Sequence, residues 1–193
     1  MGNTYITSDL HFGHDREFIW GARGYKCVED MNFQQVMKFN SVVTNDDEVW
    51  LLGDSMLGDL KEGLYWLKQL NGKIHIVLGN HDTSTREAAY KELGWDVHVA
   101  ARLKYKKINF YLSHFPTICA NLESESLHQT TVNLFGHTHQ TVNFYQDNPY
   151  MYHVGVDSHN GYPISLDQVI EDIKTEMNKC KEMLYNEGDK END

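Results

Sequence analysis

The stretch Ile74-His75-Ile76-Val77-Leu78-Gly79-Asn80-His81-Asp82 is a mostly aliphatic run that stops at a glycine and continues into an amide, an imidazole and a carboxylate. The aliphatic part reads as a strand at 73–78. The residues after it are of the kinds that bind cations or move protons. The arrangement recurs four times. Tyr5-Ile6-Thr7 precedes Asp9-Leu10-His11, and Val49-Trp50-Leu51-Leu52 precedes Gly53-Asp54. Phe110-Tyr111-Leu112 precedes Ser113-His114, and Val132-Asn133-Leu134-Phe135 precedes Gly136-His137-Thr138-His139. Such residues at the carboxyl ends of strands are how an α/β enzyme builds its active site.

Around these runs the pattern alternates. A strand at 3–8 leads to a helical turn near 15–20. A helix follows at 31–43, with Asp30 as N-cap and Met31, Val36, Met37 and Val43 as buried positions. A strand at 48–52 precedes a helix at 59–70, where Leu60, Leu64, Leu67 and Leu70 recur at helical spacing and Asn71-Gly72 ends the helix. A helix at 84–93 stops at Gly94. The second half is richer in strands, at 96–99, 101–105, 107–113, 131–135, 141–145 and 150–156. Tyr105-Lys106-Lys107 and Gln146-Asp147-Asn148-Pro149 read as hairpin turns, neither with an Asn-Gly signature. A last helix, at 166–185, opens on the capping box Ser165-Leu166-Asp167-Gln168. Its apolar stripe is Val169, Ile170, Ile173, Met177 and Leu184. An α/β half followed by a β-rich half predicts two mixed sheets packed face to face and flanked by helices, an α/β/β/α sandwich in four layers. One domain at 1–186 and a disordered acidic tail at 187–193 complete the expected organisation.

Composition bounds the function. The formal net charge is −11. An acidic surface repels a polyanion, which disfavours long duplex nucleic acid as a partner. Two divalent cations in a cleft would reverse that sign locally, so a small phosphoester remains compatible. No apolar run approaches the roughly 20 residues that span a bilayer. The first residues lack the basic and apolar regions of a signal peptide. Cys27, Cys119 and Cys180 are scattered and form no Cys-x-x-Cys pair. A reduced, cytoplasmic protein is expected.

The polar clusters supply the carboxylates Asp9 and Asp54, the imidazoles His11, His114, His137 and His139, and the amide Asn80. Residues two apart on an extended segment point the same way, which would pair Asp9 with His11 and His137 with His139. Mixed nitrogen and oxygen ligation without thiolate suits Mn, Fe, Zn, Co or Ni better than Ca or Mg. Seven side chains exceed the needs of one ion. Two ions about 3.5–4 Å apart would use them and keep positions open for water and substrate.

The ordered blocks Asp-x-His, Gly-Asp, Gly-Asn-His-Asp, a lone His and Gly-His-x-His, from Asp9 to His139, resemble the calcineurin-like metallophosphoesterase superfamily. Thr7-Ser8-Asp9-Leu10-His11-Phe12-Gly13-His14 and Gly155-Val156-Asp157 look like its small bacterial and phage phosphoesterases. The resemblance implies two divalent ions, Mn2+ first, with Fe, Zn, Ni and Co as alternatives. One would take Asp9, His11 and His139, the other Asn80, His114 and His137, with Asp54 bridging. A metal-bridged hydroxide would attack phosphorus. His81 would act on the leaving oxygen and Asp82 would orient it. The second block departs from the family's Gly-Asp-x-x-Asp, because Leu57 stands at the last position and the next acid is Asp59.

His14, Arg16 and Arg23, in the loop after the first block, are candidates to bind the substrate phosphate. A small phosphodiester or nucleotide is the expected substrate. A phosphomonoesterase and a catalytically weak scaffold are the alternatives, and a nuclease working with a partner would use the basic hairpin at Lys104, Lys106 and Lys107.

Overall fold

A computed structural model describes residues 2–121 and 126–188. The first half alternates strand and helix: β1 (Thr4–Thr7), α1 (Glu17–Trp20), α2 (Val28–Val42), β2 (Glu48–Leu52), α3 (Leu60–Leu67), β3 (Lys73–Val77), α4 (Ser84–Glu92) and β4 (Asp96–His98). β5 (Ala101–Tyr105), β6 (Ile108–Leu112), β7 (Thr131–Phe135), β8 (Phe144–Tyr145), β9 (Asn148–His153) and β10 (Ile164–Ser165) follow, then α5 (Leu166–Gly188). Two five-stranded sheets result, ordered β10-β1-β2-β3-β4 and β5-β6-β7-β9-β8. In the first, β1 through β4 are parallel and only β10 runs against them. In the second, β6, β7 and β9 are parallel, with antiparallel strands at both edges. This is the expected pair of mixed sheets flanked by helices.

The parallel strands carry unbroken apolar runs because both of their faces are covered. Val49, Leu51, Ile74 and Ile76 pack outward against Phe39 of α2, Leu67 of α3 and Tyr90 of α4. Ile6, Trp50, Leu52 and Val77 pack inward against Phe110, Leu112, Val132 and Leu134 of the second sheet. Leu166, Val169, Ile170 and Ile173 of α5 close this shared core. β5 alternates half-buried and exposed residues, as an edge strand does.

Several boundaries differ from expectation, each for a local reason. α2 begins at Val28, because the Asp30 carboxylate accepts the Lys26 N–H rather than capping the helix. The buried face is then Val28, Met31, Asn32, Gln35, Val36 and Phe39, and Met37 falls outside it, 54% exposed. Asn148 and Pro149, expected in a turn, open β9. The β5–β6 and β8–β9 hairpins turn at Lys106-Lys107 and Gln146-Asp147, all four with positive φ. That is the left-handed geometry two-residue hairpins require even without glycine. Ser165 Oγ accepts the Gln168 N–H, but the Gln168 side chain turns to Asp172, so only half of the capping box forms. β10, two residues long, left no periodic signal. α5 runs through Gly188 into the expected tail, of which 189–193 lie outside the described residues.

Phe110 is 1% exposed at the centre of the inter-sheet core. Phe110→Ala is expected to destabilise the fold by about 3–5 kcal/mol, read from the shift in urea midpoint at unchanged m-value.

Candidate metal centre

The first sheet delivers Asp9, Asp54 and Asn80 just beyond β1, β2 and β3, and the second delivers His114, His137 and His139 beyond β6 and β7. Pairing between the β1 and β2 segments continues past the strands. Asp9, His11 and Phe12 donate their N–H groups to the carbonyls of Gly53, Asp54 and Ser55, at 3.0–3.1 Å. Strand pleat is not what makes the ligands converge. Asp9, His11, Asp54, His137 and His139 all have φ between 49° and 68°. Non-glycine residues seldom adopt this left-handed region, and when several do so together the strain marks a functional site. Gly53 shares the conformation, with φ 85°. Gly79 is needed for a different reason: a Cβ there would run into the Asp54 carboxylate.

Donor atoms gather in two adjoining groups. In one, the Nε2 atoms of His11 and His139 lie 3.2 Å apart, each 3.9 Å from Asp9 Oδ1. In the other, Asn80 Oδ1 lies 2.9 Å from both His114 Nε2 and His137 Nδ1. Asp54 Oδ2 reaches both, at 3.9 Å from His11 Nε2 and 3.4 Å from His114 Nε2. Asp9, His11 and His139 form one possible cation-binding set, and Asp9, Asp54 and His114 another.

The protonation pattern suits cations. His139 Nδ1 donates to Asp157 Oδ2 at 2.8 Å, and His114 Nδ1 donates to the Leu52 carbonyl at 2.8 Å. That leaves Nε2 of each ring facing the other donor atoms; burial disfavours a charge on either imidazole, but the carboxylates beside them, Asp157 at His139 and Asp54 at His114, raise both pKa values all the same. Asp9 Oδ1 is buried without a hydrogen-bond partner. Burial raises the Asp9 pKa despite the opposing charge of His139. Burial also disfavours the Asp54 carboxylate, but His114 and the His81 N–H outweigh it and hold its pKa at about 2. Carboxylate, amide and imidazole atoms thus converge from several loops, a donor set that divalent cations suit.

Of the other residues singled out, His81 lies at the mouth, 43% exposed, its Nε2 3.9 Å from Asp54 Oδ2. Its N–H donates to Asp54 Oδ1, and Arg86 Nη1 donates to its carbonyl. Asp82 does not hydrogen-bond the His81 ring. It accepts the N–H groups of Gly79 and Asp54 and the Tyr90 hydroxyl, so it fixes the two loops that carry Asp54 and Asn80. The His14 ring lies 5.3 Å from that of His11, and Arg16 is exposed at the start of α1.

Arg23 is a correction. Its Nε and Nη2 grip Asp157 at 2.8 and 3.0 Å, and Nη2 also donates to the Asp9 carbonyl at 2.8 Å. With its side chain 7% exposed, the guanidinium is committed to Asp157 and the Asp9 loop rather than held out as a free phosphate clamp. Asp59 caps α3 through the N–H groups of Lys61 and Glu62. Asp157, which carries this support, was visible in sequence only as the end of Gly155-Val156-Asp157. Burial opposes its charge, yet His139 and Arg23 hold its carboxyl well below the usual range.

The profile of the calcineurin-like phosphoesterase superfamily domain matches residues 3–161. The Gene 66 protein of Mycobacterium phage L5 is 31% identical over 196 residues, covering 88% of this chain and 93% of its own length. That of phage D29 is 30% identical, covering 90% and 98%. A crystal structure of a protein of unknown function from Aquifex aeolicus, AQ665, shares the fold with a TM-score of 0.66 at 21% identity, over 89% of this chain and 99% of that one. The chain belongs to the calcineurin-like phosphoesterase superfamily.

Asp157→Asn is expected to leave the fold intact and weaken cation binding by about 10–100-fold, the cost of releasing a ligand imidazole from its partner, measured by Mn2+ titration of metal-stripped protein. A second expectation concerns acid. His153 is fully buried beneath the site; burial, then the charge of His159, lowers its pKa to about 3. Its neutral form stabilises the fold fully above the unfolded value near 6.5, and that stability is lost as pH falls toward 3. Urea midpoints should therefore drop between pH 7 and 4, and less steeply in His153→Gln.

Proposed function

We propose that this member of the superfamily is a phosphoesterase working with two divalent cations, Mn2+ first among them, on a small phosphodiester or nucleotide. The observation that carries the reading is the convergence of the two donor groups on Asp54 Oδ2, with a half-exposed imidazole, His81, beside them. Two cations bound there would acidify a water nucleophile and take up charge on the phosphoryl oxygens.

The chain's own groups do the remainder. Asp9, His11 and His139 would hold one cation and Asn80, His114 and His137 the other, with Asp54 within reach of both. His81 donates a proton to the leaving oxygen. Asp82 acts through Asp54 and Gly79 and so keeps His81 in place indirectly. His14, whose ring like that of His81 lies beside His11, and the exposed Arg16 bind the non-bridging oxygens. The described elements all belong to the two sheets and their connections, which leaves the mouth open to an ester substituted on both sides and favours a diester over a monoester. No described helix is long and apolar enough to cross a membrane. Cys27, Cys119 and Cys180 are free thiols, which fits a reducing compartment such as the cytoplasm.

Metal-stripped protein reconstituted with Mn2+ should hydrolyse bis-p-nitrophenyl phosphate faster than p-nitrophenyl phosphate. His81→Ala should keep its metal content and lose about 10²–10⁴ in turnover. Two bound ions with no hydrolysis of either ester, or full activity in His81→Ala, would overturn the mechanism.

A further inference from the structure

A cavity of about 550 Å³ adjoins the metal centre, lined by His139 and Asp157 on one part and by Phe18, Tyr25, Lys38 and Asn160 on another. That volume accommodates a molecule of nucleotide size. Phe18 is 70% exposed, and its ring meets the edge of His14 at 5.8 Å. It thus offers a face to the cavity beside a residue already placed near the phosphate.

Lys38 is the unusual member. Its ammonium donates to the Asn160 carbonyl at 2.8 Å and to the Tyr25 hydroxyl at 3.2 Å. It lies 5.4 Å from the Tyr25 ring centroid and 5.5 Å from that of Tyr162. The head is therefore held in place, with one of its three hydrogens unassigned. Among the described residues no carboxylate pairs with it. Other lysines also lack an acid partner, but Lys38 alone among the described lysines is held by both a carbonyl and a hydroxyl on a cavity wall. In a chain with 28 acids and 17 bases, a fixed cation without a counter-ion, on the wall of a cavity that begins at the metal centre, calls for an anion from outside. Tying the loops around Tyr25 and Asn160 together accounts for two of its hydrogens and not for its charge.

We infer that this cavity is a subsite for a second negatively charged group of the substrate, bound by Lys38, while the scissile phosphoryl group sits at the metal centre. The substrate class is a phosphoester with a remote phosphate or carboxylate, joined to the scissile group by an apolar or planar portion that lies against Phe18. This rests on the phosphoesterase reading of the centre.

Two chromogenic diesters separate the two ideas: thymidine 5′-(p-nitrophenyl phosphate), and the same compound with a 3′-phosphate. Both release p-nitrophenolate from the same bond. With Mn2+-loaded protein, the 3′-phosphate should lower KM by about tenfold, the scale of one charge-assisted hydrogen bond. Lys38→Met should bring the ratio of the two KM values to within about twofold of unity, and Lys38→Arg should restore most of it. Merely holding the loops would affect both esters alike and leave the ratio standing. Hydrolysis of both esters without discrimination by the wild type, or discrimination kept in Lys38→Met, would overturn the subsite and leave the phosphodiesterase reading intact. If neither ester is hydrolysed, that reading fails. The subsite then stands or falls on calorimetric binding of thymidine 3′,5′-bisphosphate, about tenfold weaker in Lys38→Met if the inference holds and equal in the two proteins if it does not.

Discussion

Asp9 and Asp54 are carboxylates buried at the ends of adjacent parallel strands, 0% and 2% exposed. Two like charges in so dry a place repel each other and lose their hydration. Much of the surrounding chain answers that cost. Asp9 Oδ2 accepts from the Ser8 hydroxyl and the His137 N–H, and Asp54 Oδ1 accepts from the His81 N–H. These donors come from three different loops, so anchoring the acids also fixes the loops to one another. What remains unanswered is Asp9 Oδ1, with His11 Nε2 and His139 Nε2 each 3.9 Å from it. The fold concentrates uncompensated electron density at one point, which is a description of a cation site.

The same constraint explains the backbone. Regular strands would turn Asp9 and His11 outward along the sheet. Left-handed turns at Asp9, His11 and Asp54 instead bend the two chain segments together while their peptide groups remain paired. Such turns cost of order 1–3 kcal/mol each and persist only where neighbours over-determine them. Here the neighbours are the anchored carboxylates, the Gly53–Gly79 approach and the Arg23–Asp157 pair. Strain and charge are held by one network, which is why a substitution outside the ligands, such as at Asp157, bears on the cation.

Much of this was legible in sequence, and the parts that were not share a cause. The five clusters stood out because apolar runs and donor residues differ sharply in type, and strand order follows from alternation with helices. The convergence of Asp9 with His11 was anticipated, but for the wrong reason: period-two spacing was assumed where the chain turns left-handed. Arg23 was misassigned because a guanidinium near a phosphate site and one that grips Asp157 are identical in sequence. Only the fold brings residue 157 to residue 23. Met37 reads as core because it is apolar and adjoins Val36, but the next residue on a helix lies about 100° round and falls off the buried face. Asp82 likewise follows His81 in the chain but faces Tyr90 across the turn. Neighbours in sequence are a poor guide to neighbours in a loop.

One helix shows how support and specificity come from a single spacing. On α2, Asn32 accepts the Gly13 N–H and Gln35 donates to the Leu10 carbonyl, each buried beneath the loop that carries Asp9 and His11. Lys38, three residues beyond Gln35, lies nearly one turn further along the same face and reaches the cavity wall instead of the loop. Polar residues inside an apolar helix face would be a liability in an ordinary core. Here the first two supply hydrogen bonds that the strained loop cannot make for itself. The third extends the row from the candidate metal centre to the cavity wall. The rigidity that aligns the ligands therefore also fixes the distance between centre and cavity. With the cavity as the inferred subsite, a substrate would have to match that separation, and selectivity would follow from the length of its connecting portion as much as from its charge.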